Sequence, residues 1–372
     1  MIVIDDTAVR ALYPMSRAIE DMRAAFLLYS SGRASQPRRV MTPGEGSGEV
    51  LAAMPAYLPP PAASGTPAPS GTPAAPGAPA MPGTGDVPGA DLAGFGLKAI
   101  AVQPANPARG LDPHPGVVLL LDADTCAPEA LVDATSITLI RTAAASAVAT
   151  DLLAAPDADV LAVLGTGAQA RSHVESLCLV RPCREIRIWG RTPGHARAFA
   201  EDCRKFLADG GRHPSVVTFP DAAEAAAGAG LICTVTAASE PVLDVAAVAP
   251  GAHINAVGAV FPSRRELTSA LVARSTVFTD SRDSALAEAG DLLVPIREGL
   301  IGEEHLRAEI GEVLLGTVRG RTSAREITVF ASLGLAVQDV VAARSVLRRA
   351  RAEGAGTEVR LSADPYRRRT PR

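Results

Sequence analysis

Apolar positions along this chain follow two different rhythms. Residues 16–32 (SRAIEDMRAAFLLYSSG) repeat them at helical spacing, with Ser16 and, four residues on, Glu20 marking the start. The stretches VLAAMPAYL (50–58) and GFGLKAIAV (94–102) read as strands, and GVVLLLDADTCAPEALVD (116–133) as strand, turn and strand. A long Ala-rich helix follows in SITLIRTAAASAVATDLLA (136–154). This first part is α+β, its sheet built mainly from local hairpins. From 159 onward, strands of unbroken apolar character alternate with helices: DVLAVLG, a helix over 167–180, EIRIWG (185–190), a helix over 193–209, SVVTF (215–219), DAAEAAA (221–227), AGLICTVT (229–236) and GAHINAVGA (251–259). That alternation predicts an α/β fold with a doubly wound parallel sheet of Rossmann type. The stretch 326–354 opens like a strand and continues as a long helix, and its pattern suits either part.

Between two of the predicted strands lie residues 59–93, of which 30 of 35 are Pro, Ala, Gly, Ser or Thr and ten are proline. With almost no apolar side chain to bury, such a segment does not offset its ordering entropy, so a flexible surface loop is expected. Strands on both sides make it an insertion within one domain rather than a linker. At 372 residues the chain has room for two domains.

Charge and composition exclude several classes of function. Aromatic residues make up 3% and the formal net charge is −4, which supplies neither stacking platforms nor a basic field, so no nucleic-acid partner is expected. The arginines of YRRRTPR (366–372) then read as a solvated tail. The opening MIVIDDTAVRALY lacks a basic region followed by an apolar one, and no run reaches about 18 uninterrupted apolar residues. A cytoplasmic protein without a membrane partner is expected. Cys126, Cys178, Cys183, Cys203 and Cys233 form no C-x-x-C pair and read as buried free thiols; the six histidines show no ligand spacing, so no metal is expected.

Chemistry enters at LAVLGTGAQARSHVESL (161–177). Gly165-x-Gly167-x-x-Ala170 follows a predicted strand and opens a predicted helix, the context in which this spacing cradles a dinucleotide. Gly165 permits the tight turn, Gly167 lets backbone approach a pyrophosphate, and Ala170 lets helix and strand pack closely. Ala168 and Gln169 then sit at the helix N-terminus, whose free N–H groups and partial positive charge favour phosphate. Enzymes that prefer NAD usually end the second strand with an acid for the ribose 2′-hydroxyl. Here that strand ends IWGRTP, and Arg191 with Thr192 suits a 2′-phosphate, so NADP(H) is preferred and NAD(H) is the alternative.

Taken in order, MPAY (54–57), GLKAI (96–100), QPANPARGL (103–111), IRTAAASAVAT (140–150), GTGAQA (165–170), INAVGA (254–259) and GRTSAREITVFASLGLAVQD (320–339) resemble the ornithine cyclodeaminase/mu-crystallin family over nearly the whole chain. The resemblance implies a homodimer. It also implies an α+β substrate-binding and dimerisation domain (1–134 with 327–372) and a Rossmann domain (135–326). Members use a nicotinamide cofactor on amino acids or cyclic imino acids. The resemblance places the substrate carboxylate on Arg39, with Arg38 as the less secure choice, and on Lys98 and Arg141, and it adds Thr142 and Val257 to the cofactor-binding set. A cation on an apolar strand or helix also serves as a structural partner, which is the plainer reading of Lys98 and Arg141 alone.

Two departures narrow the expected chemistry. Cyclodeaminase and alanine dehydrogenase members carry an aspartate where this chain has Val260, and cyclodeaminases a glutamate where it has Ala52. Without those acids, reduction of a preformed cyclic ketimine carboxylate of the pyrroline-2-carboxylate type is expected, with Lys98 as candidate proton donor. The alternatives are an ornithine cyclodeaminase, an amino-acid dehydrogenase and a non-catalytic NADPH-binding sensor.

Overall fold

The computed structural model describes residues 1–45, 48–60, 92–112 and 114–361. Most of the Pro/Ala/Gly segment and the arginine-rich tail lie outside the described residues. The first sheet takes β1 (Ile2–Ile4), β2 (Val40–Pro43), β3 (Val50–Leu58), β4 (Gly94–Val102), β5 (Gly116–Leu121) and β6 (Pro128–Asp133). Strands β2 to β6 form an antiparallel meander, and β1 lies parallel to β6. Because β3 and β4 pair from Val50↔Val102 to Leu58↔Gly94, the segment 59–93 connects the two strands of one hairpin.

The period-2 pattern of β3 and β4 separates two faces. Met54 and Lys98, and Ala56 and Gly96, lie opposite one another on the buried face, covered by the helix Ala336–Glu353. Gly96 is small for a reason: a Cβ there would come within 2.5 Å of Val340. Leu51, Phe95 and Val117 point to the opposite face and stay 40% to 51% exposed, with Tyr57 stacked beside Phe95. No described residue covers that apolar face.

The second sheet takes β7 (Val160–Leu164), β8 (Glu185–Trp189), β9 (Ser215–Thr218), β10 (Leu231–Thr234), β11 (His253–Ala256), β12 (Thr276–Thr279), β13 (Leu306–Glu309) and β14 (Thr328–Ala331). Its order is β13-β12-β14-β11-β10-β7-β8-β9 with every neighbouring pair parallel. The chain runs outward from β7 through β8 and β9, then returns to the other side of β7 as β10. This leaves a topological switch point between β7 and β10, the place where such sheets hold ligands. A short strand β15 (Thr357–Glu358) closes the first sheet against β1.

Three local expectations are corrected. The strand opening 326–354 belongs to the second sheet, seated between β11 and β12 with all four residues buried, so a border at 326/327 falls too early. Its helix, Ala336–Glu353, packs on the first sheet, and the chain crosses between the two at 332–335. The first long helix spans Met15–Ser30, capped by Pro14 rather than started at Ser16, because the fixed proline φ suits that position. Cys126 is exposed in the turn between β5 and β6, while the other four thiols are buried.

Helix Ala134–Leu153 joins the two parts. Asp133 caps it by accepting from the Ser136 N–H, and its alanines are buried against the helices Met15–Ser30, Ala168–Val180 and Ala336–Glu353. By length and composition it is apolar enough to cross a membrane, yet most of it is buried inside this core.

Candidate active site

Two strands and two helices bring three cations together. Lys98 points from β4 into the buried face, Arg141 lies near the middle of helix Ala134–Leu153, and Arg39 lies just before β2. Lys98 Nζ is 3.2 Å from Asp339 Oδ1, and Arg141 Nε donates to the same oxygen at 2.8 Å. Asp339 is fully buried, Lys98 is 1% exposed, and the second carboxylate oxygen of Asp339 has no hydrogen-bond partner among the described residues. Arg141 Nη1 also donates to Gln338 Oε1 at 3.0 Å.

Arg39 joins this group through the 332–335 crossing. Its Nη2 donates to the Leu333 carbonyl at 2.9 Å, and its Nε lies 2.9 Å from Glu288 Oε2. Arg38 is exposed, so Arg39 is the residue that faces the cluster. Asp280 Oδ2 accepts the N–H groups of Leu333 and Gly334 at 3.0 and 2.5 Å. Gly334 has φ +85°, and a Cβ there would meet the Arg141 guanidinium at 2.7 Å. Only glycine both adopts that conformation readily and leaves room for Arg141.

The electrostatics follow from burial. Desolvation pushes the Lys98 ammonium down to about 8, assisted by Arg141 and Arg39 and opposed by Asp339. Burial also raises the carboxyls of Asp280 and Glu288, although Arg39 pulls both back. The three predicted cations therefore stand beside three acids the sequence reading did not single out. Asp339 was in plain view in LAVQD, as a carboxylate beside an amide in an otherwise apolar run. Ala52 is buried on β3, and Val260 is half-buried against apolar neighbours of the second sheet, so no acid stands at either position.

The glycine turn forms the second half of the site. Gly165 has φ +130° at the end of β7 and packs so closely on Val235 that a Cβ would lie 2.6 Å from its carbonyl oxygen. Gly167 caps helix Ala168–Val180 without a side-chain bond, and a Cβ there would meet nothing within 4 Å. That open cradle over unpaired N–H groups fits a pyrophosphate. Ala170 is fully buried, as close helix-strand packing requires. Ala168 is exposed beside the turn, and Arg191 with Thr192 is exposed where β8 ends.

The two halves meet along one helix. Gln169 Nε2 lies 3.5 Å from the Thr138 carbonyl, and Arg141 and Thr142 follow about one helical turn later, roughly 5 Å along the axis. Thr142 Oγ1 and Gln169 Oε1 are buried without hydrogen-bond partners among the described residues, and Val257 is buried at the end of β11.

A glycine cradle of dinucleotide-binding form at a switch point, one helix away from a group of three cations, is the arrangement of a nicotinamide-dependent oxidoreductase. The chain matches the model of the ornithine cyclodeaminase/mu-crystallin family over residues 80–354, and it belongs to that family. It is 39% identical over 269 residues to a Delta(1)-pyrroline-2-carboxylate reductase of Bacillus cereus, covering 72% of this chain and 81% of that protein. With the ketimine reductase mu-crystallin of Mus musculus it shares 42% identity over 233 residues, 63% of this chain and 69% of that one. The fold is also that of the Thermococcus litoralis Delta(1)-pyrroline-2-carboxylate reductase solved in complex with NADH and L-proline. That match has TM-score 0.85 and 32% identity, covering 96% of this chain and 100% of the other.

Proposed function

We propose that the protein is a nicotinamide-dependent reductase of a cyclic ketimine carboxylate of the pyrroline-2-carboxylate type, forming the cyclic amino acid. The carrying observation is that Lys98 and Arg141 share one buried Asp339 oxygen beside Arg39, a helical turn from the residues at the glycine cradle. Arg39, Lys98 and Arg141 hold the substrate carboxylate, Arg141 with the geometry a guanidinium offers to a carboxylate. Gly165, Gly167, Ala168 and Gln169 line the pyrophosphate, and Thr142 and Val257 complete the cofactor contacts. When bound, the cofactor supplies the hydride to the imine carbon. Lys98 provides the proton at the imine nitrogen: an ammonium held near 8 is charged at neutral pH and gives its proton up more readily than an ordinary lysine. Asp339, bonded to both Lys98 and Arg141, holds the two side chains in place.

The apolar Ala52 and Val260 favour imine reduction over ornithine cyclodeamination or amino-acid oxidation, both of which need a base at a substrate ammonium. Arg191 and Thr192 favour NADP(H) over NAD(H). The uncovered apolar face of the first sheet supports a homodimer, since the exposed Leu51, Phe95 and Val117 that it carries favour burial against a second copy. The test of the activity is the oxidation of NADPH and NADH by the purified protein with pyrroline-2-carboxylate. Turnover with NADPH exceeding that with NADH is the expected result. No turnover with any cyclic ketimine, together with tight NADPH binding, identifies a sensor instead.

A further inference from the structure

Glu266 lies outside both halves of the site, yet it is fully buried and accepts four hydrogen bonds. Its Oε1 accepts from the backbone N–H and the hydroxyl of Thr236 at 2.6 and 2.7 Å. Its Oε2 accepts from the Thr234 hydroxyl at 2.8 Å and from the Gly258 N–H at 2.7 Å. The residue is itself clamped: its own N–H donates to Asp291 Oδ1 at 2.8 Å, and its carbonyl accepts from Val242 and Leu243. Burying a carboxylate is costly, and four donors at this spacing are what offsets the cost.

The segments it ties together are the ones that face a dinucleotide. Thr234 and Thr236 flank Val235, whose carbonyl is the wall against which Gly165 packs. Gly258 follows Val257, whose N–H donates to the Thr234 carbonyl at 3.0 Å. A Cβ at Gly258 would run into the Thr236 carbonyl and the Glu266 carboxylate, so the two turns are in direct contact. In a doubly wound sheet the adenosine half lies toward β8 and the nicotinamide half across the switch point, toward the ends of β10 and β11. A single carboxylate thus ties the 234–236 segment, against which Gly165 packs, to the turn at Gly258, so that both turns beyond the switch point are held at one spacing.

We propose that Glu266 is a positioning residue for the nicotinamide half of the cofactor, acting through Thr234, Thr236 and Gly258 rather than by touching the cofactor. The inference rests on the proposed placement of the cofactor at the glycine cradle. Its test compares binding of NADH with binding of ADP-ribose, which lacks the nicotinamide ring, to the full-length protein and to Glu266→Gln. A glutamine keeps the shape but places an amide donor against one pair of donors. NADH should weaken on the order of tenfold, the equivalent of about 1.4 kcal/mol, while ADP-ribose stays within about twofold.

Equal binding of both probes to the variant and the parent overturns the inference, as does an equal loss of both, which marks a purely structural role. If Glu266→Gln does not fold, Thr236→Val decides. It removes one donor and should show the same selective loss of NADH, of smaller size; no selectivity there overturns the inference as well. Failure of the parent protein to bind NADH at all is a different result, which removes the cofactor reading on which the inference stands.

Discussion

Lys98 and Arg141 bond to the same oxygen of Asp339, at 3.2 and 2.8 Å, in a place with almost no solvent access. One acid therefore stands between two cations that would otherwise repel each other in a low-dielectric interior. Replacing it with asparagine leaves both uncompensated, and breaking a buried ion pair of this kind costs about 3 kcal/mol or more. We expect Asp339→Asn to lower the melting temperature and to reduce kcat/KM for the imino acid on the order of 100-fold, with NADPH binding intact. Unchanged steady-state kinetics in a folded Asp339→Asn protein would falsify this role.

The pH dependence follows from Lys98. If the ammonium donates the proton, activity is lost as pH rises through about 8. Asp339 pulls that value upward, so Asp339→Asn should move the loss to lower pH. For stability the sign runs the other way. The folded value lies below the roughly 10.4 of an unfolded chain, so the unfolded chain binds more protons between the two. The cost of burying charged Lys98 is complete below the folded value and is relieved as pH rises toward the unfolded one. Urea titrations of the parent and of Lys98→Met should therefore converge from about pH 7 to about pH 10. A pH-independent difference speaks against a buried charged lysine.

Gly334 separates geometry from charge. Alanine there forces a positive φ on a residue with a Cβ and pushes the Arg141 guanidinium aside. The backbone strain is of order 1–3 kcal/mol. Gly334→Ala should raise KM for the imino acid about tenfold or more while the Kd for NADPH holds. A parallel loss of cofactor affinity would show that the 332–335 crossing serves the nucleotide instead.

Arg191 is the test of cofactor choice. Arg191→Ala should raise KM for NADPH on the order of 10- to 100-fold and leave NADH within about twofold, since a lost charge-assisted contact to a phosphate affects only the phosphorylated form. Equal effects on both cofactors would assign Arg191 to the adenine or to solvent.

The apolar sheet face gives the last prediction. Phe95→Glu places a charge on that face beside Tyr57, and sedimentation should show a dimer for the parent and a monomer for the variant. A monomeric parent removes the proposal.

Much of this protein is decided by short-range pattern. Apolar runs bounded by turn residues mark β3, β4 and β7, Ala-rich composition marks the helix Ala134–Leu153, and helical spacing marks the helix Pro193–Asp209, because composition, side-chain period and turn residues act within a few positions. The glycine turn is legible for the same reason: Gly165, Gly167 and Ala170 do their work within six residues, and the chemistry of Lys98 and Arg141 is visible as charge on apolar elements. What the chain by itself did not reveal is who answers those charges. Lys98 and Asp339 are 241 positions apart, Arg141 and Asp339 are 198 apart, and Arg39 meets Leu333 across 294. The central seat of β14 and the latch formed by Glu266 are of the same kind. A buried charge requires a partner, but sequence spacing carries no distance between residues so far apart; only packing the last helix onto the first sheet brings Asp339 under Lys98.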